Sequence, residues 1–194
     1  MGKTTIAGAL AKEFGLQMYN GGDILKLMAA ERGYPDARTR DDWWDTEEAK
    51  KFMLEREGDP SFDTNVDKRL KELVRQGGAV ITSYTIPWLV GNSASAGQGD
   101  GPSSPSVIKF WLKGSALNRA RRMANRDGIE LSDASAIVSL RDRENKKIYK
   151  HLYGFDFGEN LEVFDYMLNT DVLRLEKLIE VSKVIVAGHK AGLA

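Results

Sequence analysis

The chain has 194 residues, enough for one domain with a substantial buried core, and its 28 basic and 28 acidic side chains give a formal charge of zero. That balance argues against a protein whose main task is coating nucleic acid or an anionic membrane, while leaving room for a local basic pocket. With no Cys and only His151 and His189, disulfides, zinc–thiolate sites and thiol nucleophiles are excluded; no apolar run reaches the ~18–20 residues of a membrane span and no signal-peptide pattern opens the chain, so a cytoplasmic protein is expected.

Thr4 to Phe14 reads as a helix with Ile6, Ala9, Leu10 and Phe14 on one face and Gly15 as its stop. A short strand follows at Leu16 to Tyr19, then a turn at Asn20–Asp23 in which Asp23 is the expected cap of a helix reaching Arg32. Gly33-Tyr34-Pro35 breaks that helix, and the pair Trp43-Trp44, which precedes the next helix with no motif around it, reads as apolar packing beneath the neighbouring arm. Asp45 with Glu48 resembles a capping box opening a helix to about Glu57. Asp59-Pro60 starts the next helix, whose buried stripe is Val66, Leu70, Leu73 and Val74.

Gly77-Gly78 ends that helix, and Ala79-Val80-Ile81 reads as a buried parallel strand. Residues 91–106 hold Gly, Ser, Pro and Gln with almost nothing apolar, the pattern of a flexible insertion. A strand is expected at Val107 to Leu112, a helix from Ser115 to about Arg126, a turn at Asp127-Gly128 and a helix from Ser132 to about Tyr153. Tyr166-Met167-Leu168 reads as a strand, Thr170 as the cap of a last helix from Val172 to Ser182, and Val184 to Ala187 as a final edge strand. Alternating strands and helices imply one α/β domain, residues 1–194, with a parallel sheet covered on both faces.

Gly2-Lys3-Thr4-Thr5 followed at once by an amphipathic helix is the end of the phosphate-binding pattern G-x-x-x-x-G-K-[ST]. Successive backbone N–H groups and the helix N-terminus wrap an anion there. Lys3 suits the β- and γ-phosphates of ATP, and the Thr4 hydroxyl suits Mg²⁺. A polar helix start is the plainer reading of the same residues. The first glycine of the pattern and the strand that feeds it are not in the sequence, so Met1 reads as an internal methionine preceded by a strand and G-x-x-G.

Several further stretches narrow the family. From Gly-Lys-Thr-Thr through Tyr-Asn-Gly-Gly-Asp-Ile-Leu-Lys, Trp-Leu-Lys-Gly-Ser, Arg-Ala-Arg-Arg-Met-Ala-Asn-Arg-Asp-Gly and Tyr-Lys-His-Leu-Tyr-Gly-Phe-Asp to Phe-Asp-Tyr-Met-Leu-Asn-Thr, residues 2 to about 182 resemble archaeal cytidylate kinases of the nucleoside-monophosphate kinase group. The resemblance implies a three-layer P-loop kinase fold with a parallel sheet, its first strand missing, and a helical lid over about 126–150. It implies phosphoryl transfer from ATP to a nucleoside monophosphate, CMP foremost, by a monomeric enzyme whose partners are small nucleotides and not nucleic acid or membrane.

Arg119, Arg122 and Arg126 share a helix face at i, i+3 and i+7, and Arg141 and Arg143 follow beyond the turn. In the resemblance Arg122, Arg126 and Arg141 join Lys3 as catalytic residues that close over the triphosphate; a solvated basic face with Glu130 and Asp142 as neighbours is the alternative, evenly balanced for Arg119 and Arg143. Gly2, Lys3, Thr4 and Thr5 are the ATP anchors, and Gly22, Asp23, Lys26 and Tyr84 the acceptor residues. Lys26 stands where the family usually has Arg, Thr82 and Tyr84 stand where an acidic residue and an Arg are usual, and Ile148 also replaces an arginine. Tyr84 can donate a neutral hydrogen bond, stack on a base, or fill a gap beside Trp88. These departures keep open a different acceptor, such as AMP, and a catalytically silent nucleotide-binding protein.

Overall fold

The computed structural model describes residues 2–40, 43–90 and 106–191. Helix α1 (Lys3–Phe14) buries Ile6, Ala7 and Leu10 and ends where Gly15, at φ 65, donates its N–H to the Ala11 carbonyl. Strand β1 (Gln17–Asn20) leads directly into α2 (Gly21–Glu31). The cap of α2 is Asn20, whose side chain accepts from the Gly22 N–H at 2.9 Å, and not Asp23, which lies inside the first turn. There its carboxylate faces the positive end of the helix.

A short helix α3 (Asp36–Thr39) and a 3-10 turn (Trp43–Asp45) precede α4 (Glu47–Gly58). Thr46, one residue after the expected Asp45, caps α4 by accepting from the Ala49 N–H at 3.2 Å. Asp59 accepts from the Ser61 N–H at 2.9 Å and Pro60 fixes the entry of α5 (Ser61–Gln76). Trp43, Phe52, Phe62 and Leu70 are fully buried between these helices, so the tryptophan pair is packing, as its isolation in the sequence suggested.

Strand β2 (Ala79–Thr82) pairs in parallel with β1, from Gln17 opposite Ala79 to Asn20 opposite Thr82. After a one-turn helix α6 (Ile86–Leu89), β3 (Phe110–Lys113) pairs in parallel with β4 (Tyr166–Asn169) in the register Phe110 to Tyr166. Between β3 and β4 run α7 (Ala116–Asp127), capped by Ser115, and α8 (Leu131–Tyr153). The final helix α9 (Leu175–Lys190) packs on α1.

Among the described residues the parallel strands form two pairs, and β2 and β3 are not hydrogen-bonded to each other. A cavity of about 750 Å³ runs between them, lined by Ala79–Thr82 on one side and Phe110–Lys113 on the other, with Ile6 and Leu10 of α1 beside it. Val184–Ala187 is no edge strand but the last turns of α9. Leu178, Ser182 and Val186 recur every four residues and face the α1 core, so helical burial governs the run. Thr170 does not cap α9, which begins five residues later behind Arg174 with no side-chain cap. Met1 and residues 91–105 of the expected insertion lie outside the described residues.

Candidate active site

Gly2 precedes α1 in the left-handed region at φ 74, a backbone conformation that favours glycine, and a Cβ there would press on Leu175 Cδ1 at 3.0 Å. Its carbonyl accepts the N–H of Ile6 at 2.9 Å, closing the first turn. Thr4 and Thr5 are exposed on that turn, which holds no acidic residue, and the positive end of the helix dipole is left for an anion. Lys3 lines the cavity between the strand pairs, its Nζ 3.9 Å from the centroid of the Tyr84 ring.

Tyr84 sits just past β2 in a turn held from both sides. Ser83 Oγ accepts from the Thr85 N–H at 3.1 Å and the Ile86 N–H at 3.3 Å. Thr85 Oγ1 in turn donates to the buried Asp67 of α5, and Asp67 also accepts from the Tyr153 hydroxyl at the end of α8. Burial pushes the Asp67 pKa up, against the pull of those two hydrogen bonds. Next to it on α5, Asp63 accepts from Arg56 Nε at 2.8 Å and Nη2 at 2.6 Å. Burial works to lower the Arg56 pKa, but the hydrogen bonds and charge of Asp63 outweigh it and hold the guanidinium charged. Burial likewise raises the Tyr149 pKa, and that of Tyr153. Behind Tyr84 stand Phe157, edge-on at 5.6 Å, and Tyr149 at 6.4 Å. The same aromatic wall continues through Trp88, stacked on Phe155 at 4.8 Å, to Trp111.

Helices α7 and α8 bring their own cations. Arg119 on α7 donates from Nη1 at 2.7 Å and Nη2 at 2.5 Å to Asp142 on α8, while its Nε is buried without a partner. The hydrogen bond to Asp142 raises the Arg119 pKa. Arg122 reaches across to β4's end, donating to the Thr170 carbonyl and to Thr170 Oγ1, each at 3.1 Å. Room for that contact exists because residue 114 is glycine: a Cβ there would stand 2.8 Å from Thr170 Oγ1 and 3.0 Å from Arg122 Nη2.

The structure therefore places Lys3 and Tyr84 on one cavity, and adds Arg119, Asp142 and Lys146 to it. Arg122, Arg126, Arg141, Gly22, Asp23 and Lys26 are not among that cavity's lining. Arg126 pairs with Asp127 on an exposed surface, and the Asp127 pKa is lowered by its hydrogen bond to Arg126 and, further, by the charges of Arg126 and Arg141. Asp23 is exposed, and Lys26 Nζ donates to the Arg40 carbonyl at 2.9 Å. Arg119 was left undecided in the sequence; the acidic residue at 142 was its available signal, but only the α7–α8 hairpin brings the two together. Lys109 is buried too, with Nζ donating to the carbonyls of Pro87 at 3.0 Å and Val90 at 2.7 Å, and burial lowers its pKa; it ties α6 to β3.

A family model described as the cytidylate kinase-like family matches residues 1–172. The cytidylate kinase of Methanopyrus kandleri is 31% identical over 171 residues, spanning 87% of this chain and 79% of that protein. That of Pyrobaculum aerophilum is 31% identical over 181 residues, spanning 93% and 84%. Among solved structures, an uncharacterized protein from Eubacterium ventriosum aligns with 96% of this chain and 92% of its own at a TM-score of 0.55. At 14% identity that is a likeness of fold. No helix among the described residues is long and apolar enough to cross a membrane.

Proposed function

We propose that this chain, which belongs to the cytidylate kinase-like family, transfers the γ-phosphoryl group of ATP to a nucleoside monophosphate, with CMP as the acceptor. The observation that carries the reading is Lys3 at the head of α1, beside the exposed Thr4 and Thr5 on a first turn with no acidic residue, which leaves the positive helix end for phosphate. An acceptor phosphate oxygen attacks the γ-phosphorus, the bond from that phosphorus to the bridging oxygen breaks, and ADP leaves with the electron pair. Negative charge spreads over the transferring group, so positioned cations and helix-end N–H donors do most of the work.

In this reading Gly2, Lys3, Thr4 and Thr5 hold the ATP phosphates. Arg122, Arg126 and Arg141 serve with Lys3 once the lid closes, and Gly22, Asp23, Lys26 and Tyr84 face the acceptor. Among the described residues no group of three His, Cys, Asp or Glu could hold a metal. A magnesium ion carried by nucleotide phosphates takes only one or two protein oxygens, and the exposed Thr4 hydroxyl would supply one. When bound, the ion would neutralise charge on the β- and γ-oxygens.

The finer fold follows from the slot between β2 and β3. We propose that a parallel strand running into Gly2 fills it, making one sheet of the two pairs in a three-layer P-loop kinase. The facing edges of β2 and β3 lack strand partners among the described residues, and the slot is lined by apolar Ile6, Leu10, Val80 and Leu112. Such edges call for backbone pairing when covered.

Incubation with ATP and a panel of monophosphates tests the activity: CMP is expected to be consumed preferentially, with ADP as co-product. Lys3→Met is expected to lower kcat roughly 10²–10³-fold, the scale for losing one preorganised charge-stabilising donor. Nucleotide binding without turnover of any acceptor would overturn the kinase reading. Selective turnover of AMP would reassign the acceptor.

A further inference from the structure

Lys3 points to a ring, not to a carboxylate. Its Nζ lies 3.9 Å from the Tyr84 centroid, well inside the ~6 Å over which an aromatic face attracts a cation. The ring is 43% exposed, yet its place is fixed by Phe157 and Tyr149 behind it and by the Ser83–Thr85–Asp67 hydrogen bonds beneath it. Arg119 and Lys146 also line this cavity, but each is paired with a carboxylate, Asp142 and Glu159, whereas the Lys3 ammonium meets the face of the phenol ring.

We propose that Tyr84 is a positioning residue for Lys3: its ring face holds the ammonium at the head of α1, ready for the ATP phosphates. The role belongs to the ring and not to the hydroxyl, and it acts on the donor nucleotide, beside the acceptor contact proposed for the same residue. It rests on the kinase reading only for its kinetic consequence; the contact itself exists without nucleotide. A lysine held this way loses less rotamer freedom when phosphate arrives, and the gain falls on ATP binding and on the transfer step.

The test replaces Tyr84 by Phe and then by mono-, di- and trifluorinated phenylalanine, which keep the shape of the ring while draining its negative face. The Phe variant sets the reference kcat/KM for ATP. Successive fluorination is expected to lower it from that reference stepwise, by about twofold to thirtyfold in all, the range given by cation–π strengths at exposed and desolvated sites. In nucleotide-free protein, the side-chain NMR resonance of isotopically labelled Lys3 moves in step with the number of fluorines. A ring that merely fills space predicts neither trend. Lys3 resonances and ATP constants that stay at the Phe values throughout would overturn the proposal. If no monophosphate is turned over but the Lys3 signal tracks the ring series, the positioning role stands and the kinase reading falls.

Discussion

Gly114→Ala probes how helix α7 docks on the end of β4. The added Cβ would lie 2.8 Å from Thr170 Oγ1 and 3.0 Å from Arg122 Nη2, and Thr170, only 6% exposed, has little freedom to retreat. Thr170 Oγ1 is therefore forced to shift at a cost, the Arg122 side chain gives way with it, and the bond between them is lost. A hydrogen bond to a charged group contributes about 1.5–3 kcal/mol. At about 2–4 °C per kcal/mol for a domain of this size, Tm is expected to fall by roughly 3–12 °C. Thr170→Ala removes the same bond from the other side and is expected to lower stability similarly. The double variant then has neither clash nor bond to lose twice, and should be no less stable than Thr170→Ala alone. Thermal and urea unfolding of the four proteins give the cycle. Additive losses, or a Gly114→Ala protein as stable as its parent, would refute the close approach as the reason for glycine at this position.

Two further outcomes follow from the buried charges. Arg56 and Asp63 are 9% and 8% exposed, so Arg56→Met should destabilise by about 3–5 kcal/mol by stranding the carboxylate, while Arg56→Met with Asp63→Leu should recover most of it; urea midpoints decide, and a double variant as weak as the single one would sink the argument. Burial raises the Asp67 pKa, so between the ordinary carboxyl value of about 4 and that raised value the folded chain binds more protons than the unfolded one. Stability therefore falls as pH rises through that window. Asp67→Asn should lack this fall when urea midpoints are compared from pH 4 upward, and equal pH slopes for the two proteins would count against it.

Much of the fold was legible where a local signal had no rival. The helix after Gly2-Lys3-Thr4-Thr5, its stop at Gly15, the Ser115 cap and the turn at Gly128 are fixed by residues within one turn of the feature. The misplaced caps show the limit of that logic. Asn20 and Asp23, or Asp45 and Thr46, are equally good capping types, and the choice depends on where the preceding strand or 3-10 turn delivers the chain. Val184–Ala187 went to helix because α1 supplies a long partner for the Leu178–Ser182–Val186 stripe, which an apolar run by itself does not reveal. The same holds at the site. Lys3 is legible from its neighbours, whereas the Tyr84 ring over it comes from residue 84, and the Arg119–Asp142 and Arg122–Thr170 contacts span separations of 23 and 48 residues.

The hydroxyl of Tyr153 on Asp67 gives α8 a mechanical meaning. One end of the helix is bolted to α5, with Tyr149 buried one turn earlier, while the other end, at Leu131, is 39% exposed. At 1.5 Å per residue the 23-residue helix is a lever roughly 34 Å long. Arg141 and Arg143 lie roughly 15–18 Å from the bolted end, so a swing of about 10° there would carry them by about 3 Å. Because the bolt is also the anchor of the Tyr84 turn, the fulcrum of that lever and the ring beside Lys3 share a single carboxylate.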